Sequence, residues 1–128
     1  QRVTMRIREA ALELGVKRIV FGECGHAWRV AYSFLNTLAG PFDFLDQNYP
    51  VPQHILEVTH DLIQRGKLNI DASENDHMTL TFHDSCNVAR ATRMGPKPGG
   101  QMTIPREVIK AVCNNFYDMP QGTIGEAT

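Results

Sequence analysis

The sequence predicts an α/β protein in which a mainly parallel sheet is flanked by helices. Apolar stripes at helical spacing alternate with short β-branched and aromatic runs along the chain. Two of these runs, 17–21 and 78–82, each lead into a turn that holds a cysteine and then into a helical segment. Open α/β sheets bind their ligands at such strand-to-helix turns. We therefore expect the two turns to face one site.

The first half of the chain is predicted to contain three helices and one strand. Gly15 ends the first helix, and a tight turn leads to the strand at 17–21. The second helix stops at Gly40, and a third has Pro52 in its first turn and ends at Gly66. The apolar residues expected to face inward on the first two helices are Val3, Ile7, Ala10, Ala11, Leu14, Ala27, Val30, Ala31, Phe34, Leu35 and Leu38.

The second half begins with a polar segment, 67–77, which is predicted to be a surface loop. A strand at 78–82 and a short helix follow, and then a loop at 94–100 that is rich in proline and glycine. Pro105 is expected to start the last helix, and 116–119 to open a further strand. The residues expected to be buried on this helix are Val108, Ile109, Val112 and Phe116.

Composition limits the class of protein. A chain of 128 residues with 42% apolar and 21% charged residues suits one globular domain. Its net charge of −1 argues against a nucleic-acid partner. No apolar run approaches the roughly eighteen residues that span a bilayer, so direct membrane insertion is not expected. Residues 1–16 form a charged amphipathic segment rather than a signal peptide.

The three cysteines indicate a reducing compartment, since an odd number at irregular spacing does not form a secreted disulfide framework. The chain starts at Gln1 inside a predicted helix and stops at 124–128 without a closing element. We therefore expect it to be a piece of a longer cytoplasmic protein.

Cys86 and Cys24 are the candidate reactive residues. Cys86 lies in the first turn of a predicted helix that Asp84 or Ser85 can cap, and Cys24 lies in a similar turn. The positive end of a helix dipole favours thiolate, the form that binds metal or attacks a disulfide. Either cysteine could instead be a small buried apolar residue. Cys113, among the apolar residues of the last helix, is expected to pack in the core.

Histidines beside these cysteines admit more than one role. His26 and His83 could fix their turns, or could supply protons to a sulfur leaving group, because histidine titrates near neutrality. Together with Cys24 and Cys86 they could also bind zinc if the two turns converge, although Cys-x-His is an unusual spacing for a structural zinc site. His54 and His60 are expected at the surface. Trp28 is expected in the core or in an interface.

Two motifs resemble a known family. His83-Asp84-Ser85-Cys86-Asn87-Val88-Ala89-Arg90 is similar to the His-Asp-Pro-Cys-x-x-x-Arg segment that opens a CCG (cysteine-rich) repeat. Gly22-Glu23-Cys24-Gly25-His26 resembles the segment that closes the preceding repeat. Such repeats occur in heterodisulfide reductase subunits and in iron–sulfur subunits of glycolate and lactate oxidation enzymes. The resemblance implies that 1–70 is the end of one repeat and that 76–128 starts the next, truncated before its Cys-Cys-Gly segment.

This resemblance implies a chemistry and a cofactor. Repeat cysteines of the family hold a [4Fe–4S] cluster that cleaves a disulfide or trisulfide with electrons arriving one at a time. Cys86 maps onto the first cysteine of its repeat, Cys24 onto the closing cysteine of the one before, and His83 and His26 are the candidate proton donors. The Cys-Cys-Gly and Cys-x-x-Cys segments are absent, and Phe21 stands where a paired cysteine would be. We therefore expect residues 1–128 alone to hold no cluster and to be inactive.

The implied setting is dissimilatory sulfur metabolism. The resemblance places the parent protein in the cytoplasm, peripheral to the inner face of the membrane, with the other subunits of a membrane-bound redox complex and a small sulfur-carrier protein as partners. A reductase site predicts that Cys24 and Cys86 lie close together. The alternative, a redox-silent scaffold for docking neighbouring subunits, predicts buried cysteines and an exposed apolar patch. That patch would lie around Phe42, Phe44, Tyr49 or Trp28.

Overall fold

The computed structural model describes residues 2–22 and 24–119. Gln1, Glu23 and residues 120–128 lie outside the described part, and with them the chain end that the sequence predicts to be cut. The chain divides into two compact units, Gln1–Ile55 and Leu56–Thr128. Each unit is described by itself.

The first unit is built around a parallel pair of short strands joined by a helix. Val20 lies opposite Gln53 and Phe21 opposite His54. Because the connection between the two strands runs through a helix, the pairing is parallel, as the sequence predicts. The α/β class is therefore confirmed. The elements of this unit are α1 (Arg2–Glu13), β1 (Val20–Phe21), α2 (Gly25–Ala39) and β2 (Gln53–His54), and α3 (Ile55–Gln64) begins at its last residue.

Gly15 ends α1 as the sequence predicts. Its φ of +62° lies in the left-handed region, where glycine has no Cβ penalty. The backbone N–H of Val16 then donates to the carbonyl of Ala11 at 3.2 Å and satisfies one of the free carbonyls of the helix end. This turn directs the chain into β1.

The core of the first unit lies beneath α2. Leu35, Ala39, Phe42 and Leu45 form a buried apolar cluster. Trp28 is only 1% exposed, and its ring packs against Phe21, Tyr32 and His54 with centroid distances of 6.4, 5.6 and 5.3 Å. The prediction that Trp28 lies in the core is confirmed.

The predicted apolar faces of α1 and α2 are only partly buried. Val3 and Leu14 are 69% and 77% exposed, and Val30, Phe34 and Leu38 are also exposed. Side chains of α1 and α2 instead line an open groove of about 490 Å³. Of the four residues around which an exposed apolar patch is predicted, Phe42 and Trp28 are buried in the core, and Phe44 and Tyr49 are half-buried. The groove is lined by Val3, Thr4, Ile7, Phe21, His26, Ala27, Val30, Ala31, Phe34, Leu35 and Leu38.

The second unit repeats the parallel arrangement in reduced form. Leu80 forms a parallel bridge with Phe116. The N–H of Leu80 donates to the carbonyl of Asn115, and the N–H of Tyr117 donates to the carbonyl of Leu80, both at 2.9 Å. The predicted strand 78–82 is thus a single bridge. The helical elements that lie between its two sides are α4 (Cys86–Ala89) and α5 (Gly100–Val112), preceded by most of α3 and a 3₁₀ turn at Ala72–Asn75.

Two predicted helix starts are wrong. Helix α3 begins at Ile55 rather than at Pro52, because Gln53–His54 extends as β2 and pairs with β1. Helix α5 begins at Gly100 rather than at Pro105, since Gly99 turns the chain with a φ of +78° and Pro105 lies buried inside the helix. Neither β2 nor the first turn of α5 has an apolar pattern of its own.

The burial of Cys113, His60 and His54 can be compared with prediction, and the prediction for His54 is wrong. Cys113 is 1% exposed, so its predicted place in the core is confirmed. His60 is half-buried and contacts the carboxylate of Glu107 on α5. The prediction that His54 lies at the surface is wrong, because β2 carries it against Trp28, where it is 7% exposed.

Among the described residues, no helix is long and apolar enough to cross a bilayer.

Gly100 permits the close approach of α5 to the preceding loop. A Cβ built at this position would lie 1.9 Å from the carbonyl oxygen of Met94, far inside contact distance. We expect Gly100→Ala to lower the free energy of unfolding by about 1–3 kcal/mol, the usual cost of overpacking. Urea unfolding measures the change. Gly22→Ala is the matched control, because nothing lies within 4 Å of its Cβ and its φ is not positive; equal losses in both variants would contradict the packing argument.

Burial of His54 makes the first unit sensitive to acid. Desolvation lowers the pKa of His54 below its ordinary value. The unfolded chain therefore binds a proton at this residue more readily than the folded chain. We expect the free energy of unfolding to fall as the pH drops below about 6.5, by no more than about 1.4 kcal/mol per pH unit from this residue.

Urea unfolding across pH 5–8 checks this prediction, with His54→Gln as the variant that cannot titrate. The variant should lose less stability between pH 7 and 5 than the wild-type protein. Parallel stability profiles for the two proteins would contradict it.

Candidate functional sites at the two cysteine turns

The first cysteine turn joins β1 to α2. Cys24 adopts extended backbone angles, φ −90° and ψ 105°, and occupies the N-cap of α2. Its sulfur accepts the N–H of Ala27 at 3.5 Å, and the side chain is exposed. His26, in the first turn of α2, is exposed and lines the apolar groove. The turn therefore presents an accessible thiol at the N-terminal end of a 15-residue helix, the end that favours negative charge.

The second cysteine turn joins Leu80 to α4. Cys86 is the first residue of α4 and is exposed. Ser85 occupies the N-cap with φ −69° and ψ 138°, but its hydroxyl makes no capping hydrogen bond. Helix α4 has only four residues. The predicted stabilisation of the Cys86 thiolate by a helix dipole is therefore weak, since a single helical turn sums few peptide dipoles.

Asp84 does not cap α4, because its carboxylate binds Arg106 of α5. Nη1 of Arg106 donates to Oδ1 of Asp84 at 2.8 Å, and Nη2 donates to Oδ2 at 2.6 Å. Asp84 is 2% exposed and Arg106 is 9% exposed. A guanidinium and a carboxylate in this paired arrangement define each other's plane as well as their distance. The backbone two residues before Cys86 is thereby fixed to α5.

The same guanidinium reaches a second carboxylate. Nε of Arg106 donates to Oδ2 of Asp118 at 2.6 Å, and Nη1 also donates to the carbonyl of Met102 at 2.8 Å. The ring of Phe82 lies 5.4 Å from the guanidinium carbon, within cation–π range. Arg106 is therefore satisfied on all three of its nitrogens although it is buried.

Electrostatics hold this network charged. The hydrogen bonds that Arg106 donates to Asp84 and Asp118 raise the pKa of Arg106. The hydrogen bond from Arg106 lowers the pKa of Asp118. Asp84 and Asp118 follow Leu80 and Phe116 respectively, so both lie beyond the carboxyl end of the parallel bridge. In open α/β sheets this is the edge that binds ligands.

The structure groups the four predicted site residues in pairs. Cys24 and His26 share one turn of the first unit, while His83 and Cys86, both exposed, share one turn of the second. Within the described part of either unit, no three histidine, cysteine or carboxylate side chains form a metal-binding group. Neither unit by itself supports the zinc hypothesis.

Sequence reasoning missed Arg106. Its neighbours on α5 are Ile104, Pro105 and Val108, so the arginine interrupts an apolar face that was expected to be buried without charge. The signal was that interruption, since a charge on a buried face needs a buried partner. Identifying Asp84 as the partner requires the fold.

An iron–sulfur cluster suits the donors that these turns provide. Thiolates are the ligands that such clusters need, usually four of them. Cys24 and Cys86 are exposed and free of disulfides, whereas Cys113 is enclosed in the core. The chain can thus supply two of four ligands, and the others would have to come from outside residues 1–128.

Fold and donors together define a class: an α/β segment with a thiol at each of two strand-to-helix turns, suited to an iron–sulfur redox subunit. Comparison with curated proteins agrees with this class. The chain is 37% identical to an "Hdr-like menaquinol oxidoreductase iron-sulfur subunit" of Archaeoglobus profundus and 35% identical to an "Hdr-like menaquinol oxidoreductase iron-sulfur subunit 2" of Archaeoglobus fulgidus. Each similarity covers 100% of this chain and 26% of the relative.

Both relatives are named as iron–sulfur subunits, and the similarity extends over the whole of this chain. The chain spans about a quarter of the length of the curated relatives it matches. No protein-family model and no solved structure matches it.

The two carboxylates that pair with Arg106 are expected to contribute very differently to the free energy of unfolding. We expect Asp84→Asn to lower the free energy of unfolding by about 3 kcal/mol, because it leaves a buried guanidinium without its main counter-charge. Asp118→Asn is the matched control and should cost less than about 1 kcal/mol, since the Asp118 side chain is 37% exposed. Urea unfolding of both variants checks the order. Equal losses would contradict the assignment of Asp84 as the buried partner.

Proposed function

We propose that this chain is part of an Hdr-like iron–sulfur oxidoreductase subunit and that Cys86 and Cys24 are ligands of its [4Fe–4S] cluster. The observation that carries the proposal is the exposure of one thiol at each of two strand-to-helix turns. Each turn leads away from one member of a parallel strand pair, where α/β proteins place ligands. Two relatives named as iron–sulfur subunits, similar over the whole chain, support it.

The two units differ in how they would hold the ligands. Cys24 is the N-cap of a long helix, whose N-terminal end favours the negative charge of a thiolate-bound cluster. Cys86 is the first residue of a helix of one turn, and the Asp84–Arg106 pair lies two residues before it. The remaining ligands come from cysteines of the parent protein outside this chain. Residues 1–128 alone hold no cluster and have no activity.

The proposed reaction is reduction of a disulfide or trisulfide. The cluster, when bound, supplies electrons one at a time to the sulfur–sulfur bond. Each sulfur that leaves needs a proton, and His83 and His26 are exposed imidazoles in the same turns as the two cysteines. Imidazole is the side chain that proteins use most often as a general acid or base. These histidines are our candidate proton donors.

The proposed setting follows the names of the relatives and the motif resemblance. The relatives are subunits of menaquinol oxidoreductases, which suggests electrons from a membrane quinol through other subunits of a membrane-bound redox complex. The sequence motifs around Cys24 and Cys86 are similar to those of DsrK, the corresponding subunit of dissimilatory sulfur metabolism. We propose a cytoplasmic position on the inner face of the membrane, held by partner subunits, and a small sulfur-carrier protein as substrate.

The parallel arrangement of each unit supports two successive CCG repeats, 1–70 and 76–128. In both, a strand residue leads through a cysteine turn and one or more helices to its parallel partner. The scaffold alternative draws on a different observation, the exposed apolar groove between α1 and α2. That groove would dock a neighbouring subunit without any role for the cysteines.

Anaerobic reconstitution of the full-length parent with iron and sulfide distinguishes the two functions. We expect Cys86→Ser and Cys24→Ser each to abolish or strongly alter the cluster's EPR signal, because serine oxygen is a poor substitute for a thiolate ligand. Cys113→Ala is the matched control and should leave the signal unchanged, since Cys113 is buried in the core. A signal unchanged in both serine variants would favour the scaffold.

A further inference from the structure

We propose that Arg106 is a positioning residue for Cys86 and acts through Asp84. The inference rests on the proposed function and deepens it. Among the described residues, the Asp84–Arg106 pair is the buried ion pair, and it lies two residues from the candidate ligand. Its geometry connects this turn to α5.

The local backbone is a weak support for Cys86. Helix α4 consists of a single turn, and the Ser85 side chain adds no cap. The backbone hydrogen bonds of this helix are local: the N–H of Arg90 donates to the carbonyl of Cys86 at 3.2 Å, and the N–H of Ala89 donates to the carbonyl of Ser85 at 2.8 Å. Isolated helical turns are marginal in water. The thiol therefore needs an anchor from another element to hold one direction.

Arg106 provides that anchor from the middle of α5. Its two bonds to Asp84, of 2.8 and 2.6 Å, define both the distance and the plane of the carboxylate. A second contact between the same elements, from the Gln101 side chain to the carbonyl of Ala89 at 3.4 Å, is longer and neutral. The ion pair is thus the stronger of these two contacts.

Asp118 extends the same control to the other side of the parallel bridge. Arg106 holds Asp84, which follows Leu80, and Asp118, which follows Phe116. One guanidinium therefore spaces the two segments that leave the carboxyl end of the pair. Lysine cannot replace it, because an ammonium group lacks the planar fork that reaches two carboxylates at once.

Arg106→Lys in the full-length parent tests the proposal, because it keeps the charge and removes the fork. Without a cluster, we expect amide hydrogen exchange at 88–90, whose N–H groups donate to the carbonyls of Ser85 and Cys86, to accelerate about tenfold, or ~1.4 kcal/mol of local opening. With the cluster reconstituted, we expect a shifted EPR spectrum and a shifted midpoint potential at similar iron content. Arg65→Lys is the matched control, since Arg65 pairs with Asp61 on the surface of α3.

The outcomes separate this proposal from the proposed function. Wild-type exchange and an unchanged EPR spectrum in Arg106→Lys would overturn the positioning role, even if Cys86→Ser loses the cluster. Faster exchange confined to 88–90, with Arg65→Lys unchanged, supports it. Equal acceleration throughout the second unit would show only lost stability and would also overturn it. If Cys86→Ser keeps the EPR signal of the cluster, the assignment of Cys86 as a ligand fails. The exchange result still tests the positioning role of Arg106.

Discussion

The buried guanidinium of Arg106 is the constraint on which the second unit depends. A charge removed from water must be paired on every side, and Arg106 obtains its partners from three separate segments of the chain. These partners fix α5 against both segments that flank the Leu80–Phe116 bridge. The parallel contact itself is one bridge long, so the side-chain network carries much of the order that a longer sheet would otherwise supply.

The first unit obtains the same topology by apolar packing. Trp28 is a buried residue of α2 and contacts residues of both β1 and β2, so one large ring holds the crossover together. Here the cysteine turn begins a helix of four turns, and the N-cap geometry alone positions Cys24. The two cysteine turns therefore resemble each other in connection but differ in the interaction that holds them.

Sequence patterns predicted the features that depend on neighbouring residues. Gly15 as a helix end, Cys113 in the core and a cysteine in each strand-to-helix turn all follow from local spacing. The features that depend on distant partners were missed. Strand β2 exists only because β1 lies beside it, and the burial of His54 follows from that pairing. The start of α5 was misplaced because proline usually marks a first turn.

Asp84 shows why the site could be located but not fully understood from its motif. The sequence places an acidic residue before a helix start, and capping is the usual reason for one. The carboxylate instead serves a residue on α5 that the motif does not contain. Buried ion pairs add little stability compared with apolar packing of the same volume, because desolvation offsets their attraction. What the pair provides is one fixed geometry, and the metal ligand proposed on this one-turn helix would need that more than it needs stability.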